Sequence, residues 1–233
     1  MKSRSLPFVL LNVATTADGK LAPANRRYVP FSSQRDQEHL LELRATADAV
    51  MSGARTVDLY PVSLGPGPAK YRRLRKKRGL AEYNLRIIVS GSGTISPKAA
   101  IFKKRFSPII ILTSGQASAA NLKKFRTLAD EVKVFGKKEL DFPAAFRWLR
   151  KKWNVKRLLC EGGGELNGAL FEANLVNELH LTLCPAIFGG RTAPTLSDGT
   201  GVEKLTKATR LKLKSQKRIG DEQFLIYQIV SPN

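Results

Sequence analysis

Between an apolar run and a helix-like segment, the stretch KRLLCEGGGELNGALFE (Lys156 to Glu172) places three consecutive glycines, Gly162, Gly163 and Gly164. A glycine turn leading from a buried strand into a helix exposes backbone N–H groups beside the positive end of the helix dipole. Anionic phosphate is the natural ligand of such a corner. A tight turn with close helix–sheet packing accounts for the same residues. The dinucleotide fingerprint G-x-G-x-x-G is excluded, because Gly162, Gly163, Gly164 and Gly168 do not fit it and the run comes late in the chain. The P-loop pattern G-x-x-x-x-G-K-[ST] does not occur either.

Three further segments carry groups suited to a ligand. NVATTADGKLA (Asn12 to Ala22) puts a polar cluster and a glycine turn where a first strand ends. DAVMSGARTV (Asp48 to Val57) closes a strand with small residues and a threonine, which allows a flat or anionic ligand to approach. CPAIFGG and APTLSDGTG (Ala193 to Gly201) form a second glycine-rich return. Cys160 and Cys184 lie in apolar runs without ligand spacing and read as buried, reduced thiols. His39 and His180 are too few for a histidine-rich metal site and read as helix surface and strand packing; no metal is expected.

The elements that must position these groups alternate. FVLLNVAT (Phe8 to Thr15) reads as a strand, and SQRDQEHLLELRATA as a helix capped by Ser33. DAVMSG, LRIIVSG and SPIIILTS are short apolar strands of the kind buried on both faces of a parallel sheet. A helix from about Ala117 to Leu128, the strand EVKVFG and the helix FPAAFRWLRKKW follow. The end of the chain differs: NELHLTLCPAIF, RLKLKSQKRIG and EQFLIYQIV are strands without intervening helices, the last two joined at Gly220 and Asp221 as a hairpin. The pattern predicts an α/β fold of three layers, with a mostly parallel central sheet and antiparallel C-terminal strands. One domain over 1–233 is expected, with a basic loop at about 58–84.

Charge is the anomaly. Forty Lys+Arg against nineteen Asp+Glu give +21, enough to attract nucleic acid, anionic membrane or phosphorylated metabolites. Seven of the nine residues from Lys70 to Arg78 are basic, but the rest of the charge is dispersed. Aromatic residues do not interleave with it as single-strand binders require, so nucleic acid is disfavoured as a partner. The N-terminal apolar run stops at Asn12, too short for a signal peptide, and no segment approaches the roughly 20 apolar residues of a membrane span. A cytoplasmic protein is expected.

The four segments, in their order, resemble the pyrimidine reductases of riboflavin biosynthesis, which include the C-terminal reductase domain of the bifunctional deaminase/reductase. The likeness rests on NVATTADGK, SSQRDQEHLLELRATADAV, GARTV, LLCEGGGELNGALFEANLVNELHLTLCPAIFGG and APTLSDGTG, and covers nearly the whole chain. It implies a dihydrofolate-reductase-like fold, a homodimer, and NADPH-dependent reduction of a ribosylamino-pyrimidinone 5′-phosphate to its ribitylamino form. Carried over by position, cofactor contacts fall on Ala14, Thr56, Gly162, Gly163 and Gly164, and on Gly91 and Ser92. The substrate side falls on Arg44 and Glu161, with Asn12 and Glu161 at the reacting centre. Asp18 matches a family aspartate, and also reads as the cap of the Gly19 turn.

The chain departs from the family after Thr56. Tyr60 stands where an acidic residue is usual, and the arginine that helps hold the substrate phosphate is absent from VDLYPVSLGPGPAKYRRLRKKRG. Lys70, Arg72 or Arg73 are the candidates to replace it. Neither H-x-E nor P-C-x-x-C occurs, which excludes deaminase-type zinc chemistry for this sequence. Two other readings compete: reduction of another heterocycle or pterin, and a non-catalytic nucleotide- or RNA-binding module using the basic surface.

Overall fold

Isoleucine- and valine-rich runs bounded by Asp, Asn, Gly or Ser fix the strand limits, and capped segments with apolar residues at helical spacing fix the helices between them. The computed structural model describes residues 5–27 and 29–230. The chain divides into two compact units, each made of non-contiguous segments. The first joins the N-terminal residues up to Phe8 to Leu41–Leu159; the second joins Val9–Leu40 to the chain from Cys160 onward.

In the first unit the strands β2 (Ala49–Gly53), β3 (Leu85–Ser90), β4 (Ile109–Thr113), β5 (Glu131–Val134) and β6 (Arg157–Cys160) run in the order β5-β4-β3-β2-β6. The pairs β2–β3, β3–β4 and β4–β5 are parallel. β4 is buried along its full length, as a strand covered on both faces must be. Helix α5 (Phe142–Lys152) buries Phe142, Ala145, Phe146 and Leu149, one stripe of its surface, and the Asp141 side chain accepts the Ala144 N–H to start it. Helix α4 (Ala119–Leu128) begins the same way, at Ser118. Between β2 and β6, the Asp48 carboxylate accepts the N–H groups of Lys156 and Arg157, both at 2.8 Å.

The expected basic loop is not a loop. Residues 58–84 contain the end of α2 (Ala54–Leu59) and the whole of α3 (Ala69–Lys77). Pro68 and Ala69 start α3, and every fourth residue from Tyr71 turns inward, so that Tyr71 and Arg75 are buried while Lys70, Arg73, Lys76 and Lys77 face water. Arg75 braces the loops around it. Its guanidinium donates to the carbonyls of Arg44 and Ala47 at 2.6 Å and of Ala81 at 2.9 Å. Arg86 does the same for Ile101, Lys104 and Ser107 and lies 4.2 Å above the Phe106 ring. Burial lowers its pKa to about 10. Part of the positive charge is therefore internal scaffolding.

In the second unit β1 (Phe8–Thr16), β7 (Glu178–Cys184), β8 (Arg210–Ile219) and β9 (Glu222–Val230) run in the order β1-β7-β9-β8. β1 and β7 are parallel; β7–β9 and β8–β9 are antiparallel. The antiparallel end is the one the sequence pattern predicts. Helices α1 (Gln34–Arg44), whose last turn belongs to the first unit, and α6 (Gly164–Glu172) complete it. Cys160 and Cys184 are buried and unbridged, as expected, and burial pushes both thiols up to about 12. No described helix is long and apolar enough to cross a membrane.

Candidate active site

The period of two along β1 turns Asn12, Ala14 and Thr16 to one face, where the register sets them beside His180, Thr182 and Cys184 of β7. Asn12 is buried, and its Oδ1 has no hydrogen-bond partner among the described residues. A buried acceptor left open costs free energy unless something fills it. Beyond the strand, Thr16 Oγ1 donates to Asp18 at 2.6 Å, and Asp18 accepts the N–H groups of Phe188 at 3.2 Å and Gly189 at 2.8 Å. The Thr16 hydroxyl and these amides hold the Asp18 carboxyl below its ordinary pKa. Asp18 thus ties the DGK turn to the Gly189–Gly190 return, rather than serving its own turn alone.

The three glycines differ in structural role. Gly162 (φ 78°) and Gly163 (φ 99°) hold backbone conformations that L side chains avoid, and Gly163 is the N-cap of α6. Gly164 is a packing residue. A Cβ there would lie 2.2 Å from Asp198 Oδ2 and 2.6 Å from the Thr195 carbonyl. The 193–201 return is folded against α6 by the Asp198 N–H to the Gly164 carbonyl (2.9 Å) and by Asn167 Nδ2 to the Leu196 carbonyl (2.8 Å). Asp198 in turn accepts the Thr195 N–H and hydroxyl. The second glycine-rich return is therefore the support of the first. By helix geometry the N–H groups of Gly164, Glu165 and Leu166 have no acceptor within α6, so the corner keeps the donors and the dipole that an anion needs.

On the same face of β7, His180 Nε2 meets Glu178 Oε1 at 2.9 Å and His180 Nδ1 meets His39 Nε2 at 3.1 Å. Lys214 Nζ pairs with the other Glu178 oxygen. A register shift between Leu213 and Ser215 leaves Lys214 unpaired in the ladder and turns its side chain to that carboxylate. Burial acts to raise the Glu178 pKa, but the hydrogen bonds and charges of Lys214 and His180 outweigh it and hold the carboxyl low. The folded pKa lies below the unfolded one, so this contribution to stability is complete above about pH 4.3 and is lost as pH falls through the folded value. Glu178→Gln should therefore flatten the acid limb of a urea-midpoint-versus-pH curve; an unchanged limb would remove Glu178 from that account. The signal in the sequence was the i, i+2 spacing of Glu178 and His180 on one strand; nothing in it brought His39 to them.

The second unit thus carries Asn12, Ala14, Glu161, Gly162, Gly163 and Gly164. Arg44, Thr56, Lys70, Arg72, Gly91 and Ser92 belong to the first. Thr56 lies in the first turn of α2, directly after β2. Gly91 and Ser92 form the exposed turn after β3, where the Gly91 carbonyl accepts the Ser114 hydroxyl and Ser92 Oγ lies 3.1 Å from Thr94 Oγ1. Arg44 is buried and donates to the Gly65 carbonyl at 2.7 Å. Arg72 pairs with Glu82 at 3.2 Å and lies over the Tyr83 ring, while exposed Lys70 stacks on Tyr71. Among the described residues no group of three His, Cys, Asp or Glu side chains could hold a metal ion.

Comparison with known proteins gives a consistent result. The RibD C-terminal domain family matches residues 7–225. The 2,5-diamino-6-ribosylamino-4(3H)-pyrimidinone 5′-phosphate reductase of Archaeoglobus fulgidus is 31% identical over 92% of this chain and 94% of its own. The protein of the same name from Methanothermobacter thermautotrophicus is 30% identical over 96% of this chain and 98% of its own. Among solved structures, a pyrimidine reductase-like protein from Corynebacterium diphtheriae superimposes with a TM-score of 0.79 at 23% identity, covering 97% of this chain and 92% of that one. The riboflavin biosynthesis reductase Rib7 of Saccharomyces cerevisiae gives 0.69 at 15% identity, over 99% and 93%. These likenesses establish the dihydrofolate-reductase-like fold expected from the sequence motifs.

Proposed function

The chain belongs to the RibD C-terminal domain family, and from that premise we propose that it is the NADPH-dependent reductase of a ribosylamino-pyrimidinone 5′-phosphate in riboflavin biosynthesis. The whole chain serves as one reductase domain. The observation that carries the reading is the near-complete mutual coverage with two reductases named for that substrate. The unpartnered Asn12 Oδ1 and the open corner at α6 support it, because both have the chemistry of a site that fits a nicotinamide dinucleotide.

When bound, NADPH supplies the hydride. The rest falls to side chains and backbone of this chain. Gly162, Gly163 and the first N–H groups of α6 hold diphosphate, with Gly164 keeping the corner pressed on its support. Ala14, Thr56, Gly91 and Ser92 present small surfaces to the cofactor. Asn12 Oδ1 accepts a donor from the ligand and so fixes the reacting group; Glu161 orients ribose hydroxyls and favours the cationic imine of the ring-opened substrate. Arg44, Lys70 and Arg72 form the substrate side, with exposed Lys70 available to the 5′-phosphate.

A homodimer in the cytoplasm completes the reading. Leu211 and Leu213 of β8 are exposed on the hairpin face that also carries Tyr227 and Ile229, an apolar strip suited to a second copy. NADPH oxidation should proceed with the diamino pyrimidine or its deaminated counterpart, by a protein that sediments as a dimer. Turnover of neither, or of dihydrofolate instead, would overturn the assignment.

A further inference from the structure

Reduction of a ribosylamine consumes a proton as well as a hydride. The C1′–O4′ bond breaks, O4′ takes the proton to become a hydroxyl, and C1′ takes the hydride as NADPH is oxidised to NADP+. No other oxidant or reductant is needed. Neither residue assigned to the reacting centre supplies that proton, since Asn12 does not titrate and a carboxylate that favours the cationic imine must stay ionised.

A group able to hold a proton lies beside Asn12. His180 is its neighbour in the β1–β7 register, on the same face, and neighbouring strands lie roughly 4.8 Å apart. His180 is buried and bonded at both ring nitrogens, to His39 and to Glu178, and Glu178 is bonded to half-exposed Lys214. We propose that His39 and His180, backed by Glu178 and Lys214, form a relay that stores the proton consumed in each turnover and delivers it on the Asn12 side of the sheet. This rests on the reductase reading above.

The hydrogen bonds define two states of the relay. In the charged state His180 is an imidazolium, donating from Nε2 to Glu178 and from Nδ1 to His39 Nε2, and His39 carries its proton on Nδ1. When His39 gives up that proton, the His180 Nδ1 proton moves to His39 Nε2. Both rings are then neutral, with every donor pointing toward Glu178. Recharging reverses the shift. The stored charge is compensated by Glu178, which its own partners keep ionised. β1 offers neutral Asn12 and Ala14, and β9 offers Ile226 beside His180 and Phe224 edge-on to the His39 ring at 6.0 Å. β8 adds Lys212 and Ser215 beside Lys214. On α1 the charged neighbours one turn away are Arg35, Asp36 and Glu42.

A clamp without proton transfer would use the same contacts, so the test must read the proton. In single turnovers with NADPH and the ribosylamino pyrimidinone phosphate, in weak buffer with a pH indicator, wild type should oxidise NADPH before it takes up a proton from solvent. His39→Gln and His180→Gln should take up the proton no later than they oxidise NADPH. Their kcat should fall about a hundredfold or more at about pH 6, where the wild-type relay is charged, the low end of what general acid catalysis contributes, with KM little changed and a larger solvent isotope effect. The wild-type loss of kcat through the imidazole range should disappear. Imidazole-nitrogen NMR on the free protein gives a second reading: the pair should bind one proton, and Glu178→Gln should shift its midpoint down by about a unit or more. Folded variants with wild-type pH profile, isotope effect and uptake order would overturn the relay alone. Absence of turnover by wild type would overturn the functional reading, and the relay with it.

Discussion

Gly168→Ala is expected to destabilise the protein by about 2 kcal/mol, the middle of the range for overpacking a filled site. Helix propensity argues the other way. Gly168 lies inside α6, where alanine is normally better than glycine by about 1 kcal/mol. The obstacle decides the sign: a Cβ at Gly168 would lie 1.8 Å from the Asp198 carbonyl oxygen, a backbone atom. That atom cannot swing aside like a side chain, because Asp198 is fixed by its N–H to the Gly164 carbonyl and by its carboxylate to Thr195. For a chain of this size the thermal midpoint should drop by about 4–8 °C. Gly91→Ala is the comparison, since its Cβ would meet nothing within 4 Å. A Gly168→Ala protein as stable as wild type, or more so, would mean that the 193–201 return does not hold α6 as described.

How far the sequence could be read depended on the range of the interactions. Strands such as Ile109–Thr113 and the hairpin at Gly220 were legible because composition and turn chemistry act locally. The helix Ala69–Lys77 was not, because a run of seven cations looks solvated unless one knows that Arg75 finds three inward carbonyls. Those carbonyls belong to residues 44, 47 and 81, and no local pattern announces them. The site divides in the same way. Motifs led to Asn12, Glu161 and the glycines, but the roles within the glycine run depend on Asp198, which arrives only after α6 and β7 have passed. His39 and His180 stand 141 positions apart. Read singly, each is ordinary packing; only the fold makes them a pair.

Gly163→Val should raise the NADPH dissociation constant about tenfold or more, a change of about 1.4 kcal/mol per decade, with a smaller loss of stability than Gly168→Ala. Gly163 sits at φ 99°, ψ 132°, where a β-branched residue costs about 1–3 kcal/mol. The protein can relieve that strain cheaply, because the residue is at the mouth of α6 and partly exposed. Relief means rotating the Gly163 peptide unit, and with it the N–H groups at the mouth of α6 to which the proposed reading assigns the diphosphate. The cost therefore falls on binding more than on folding. Gly163→Ala should be intermediate, sharing the positive φ but not the branched Cβ. Titration of NADPH by protein fluorescence, with unfolding midpoints on the same samples, separates the two glycines: one variant should lose affinity, the other stability. A folded Gly163→Val protein that binds NADPH as wild type does would move the diphosphate elsewhere and leave the glycine run as a corner built only to seat α6 on Asp198.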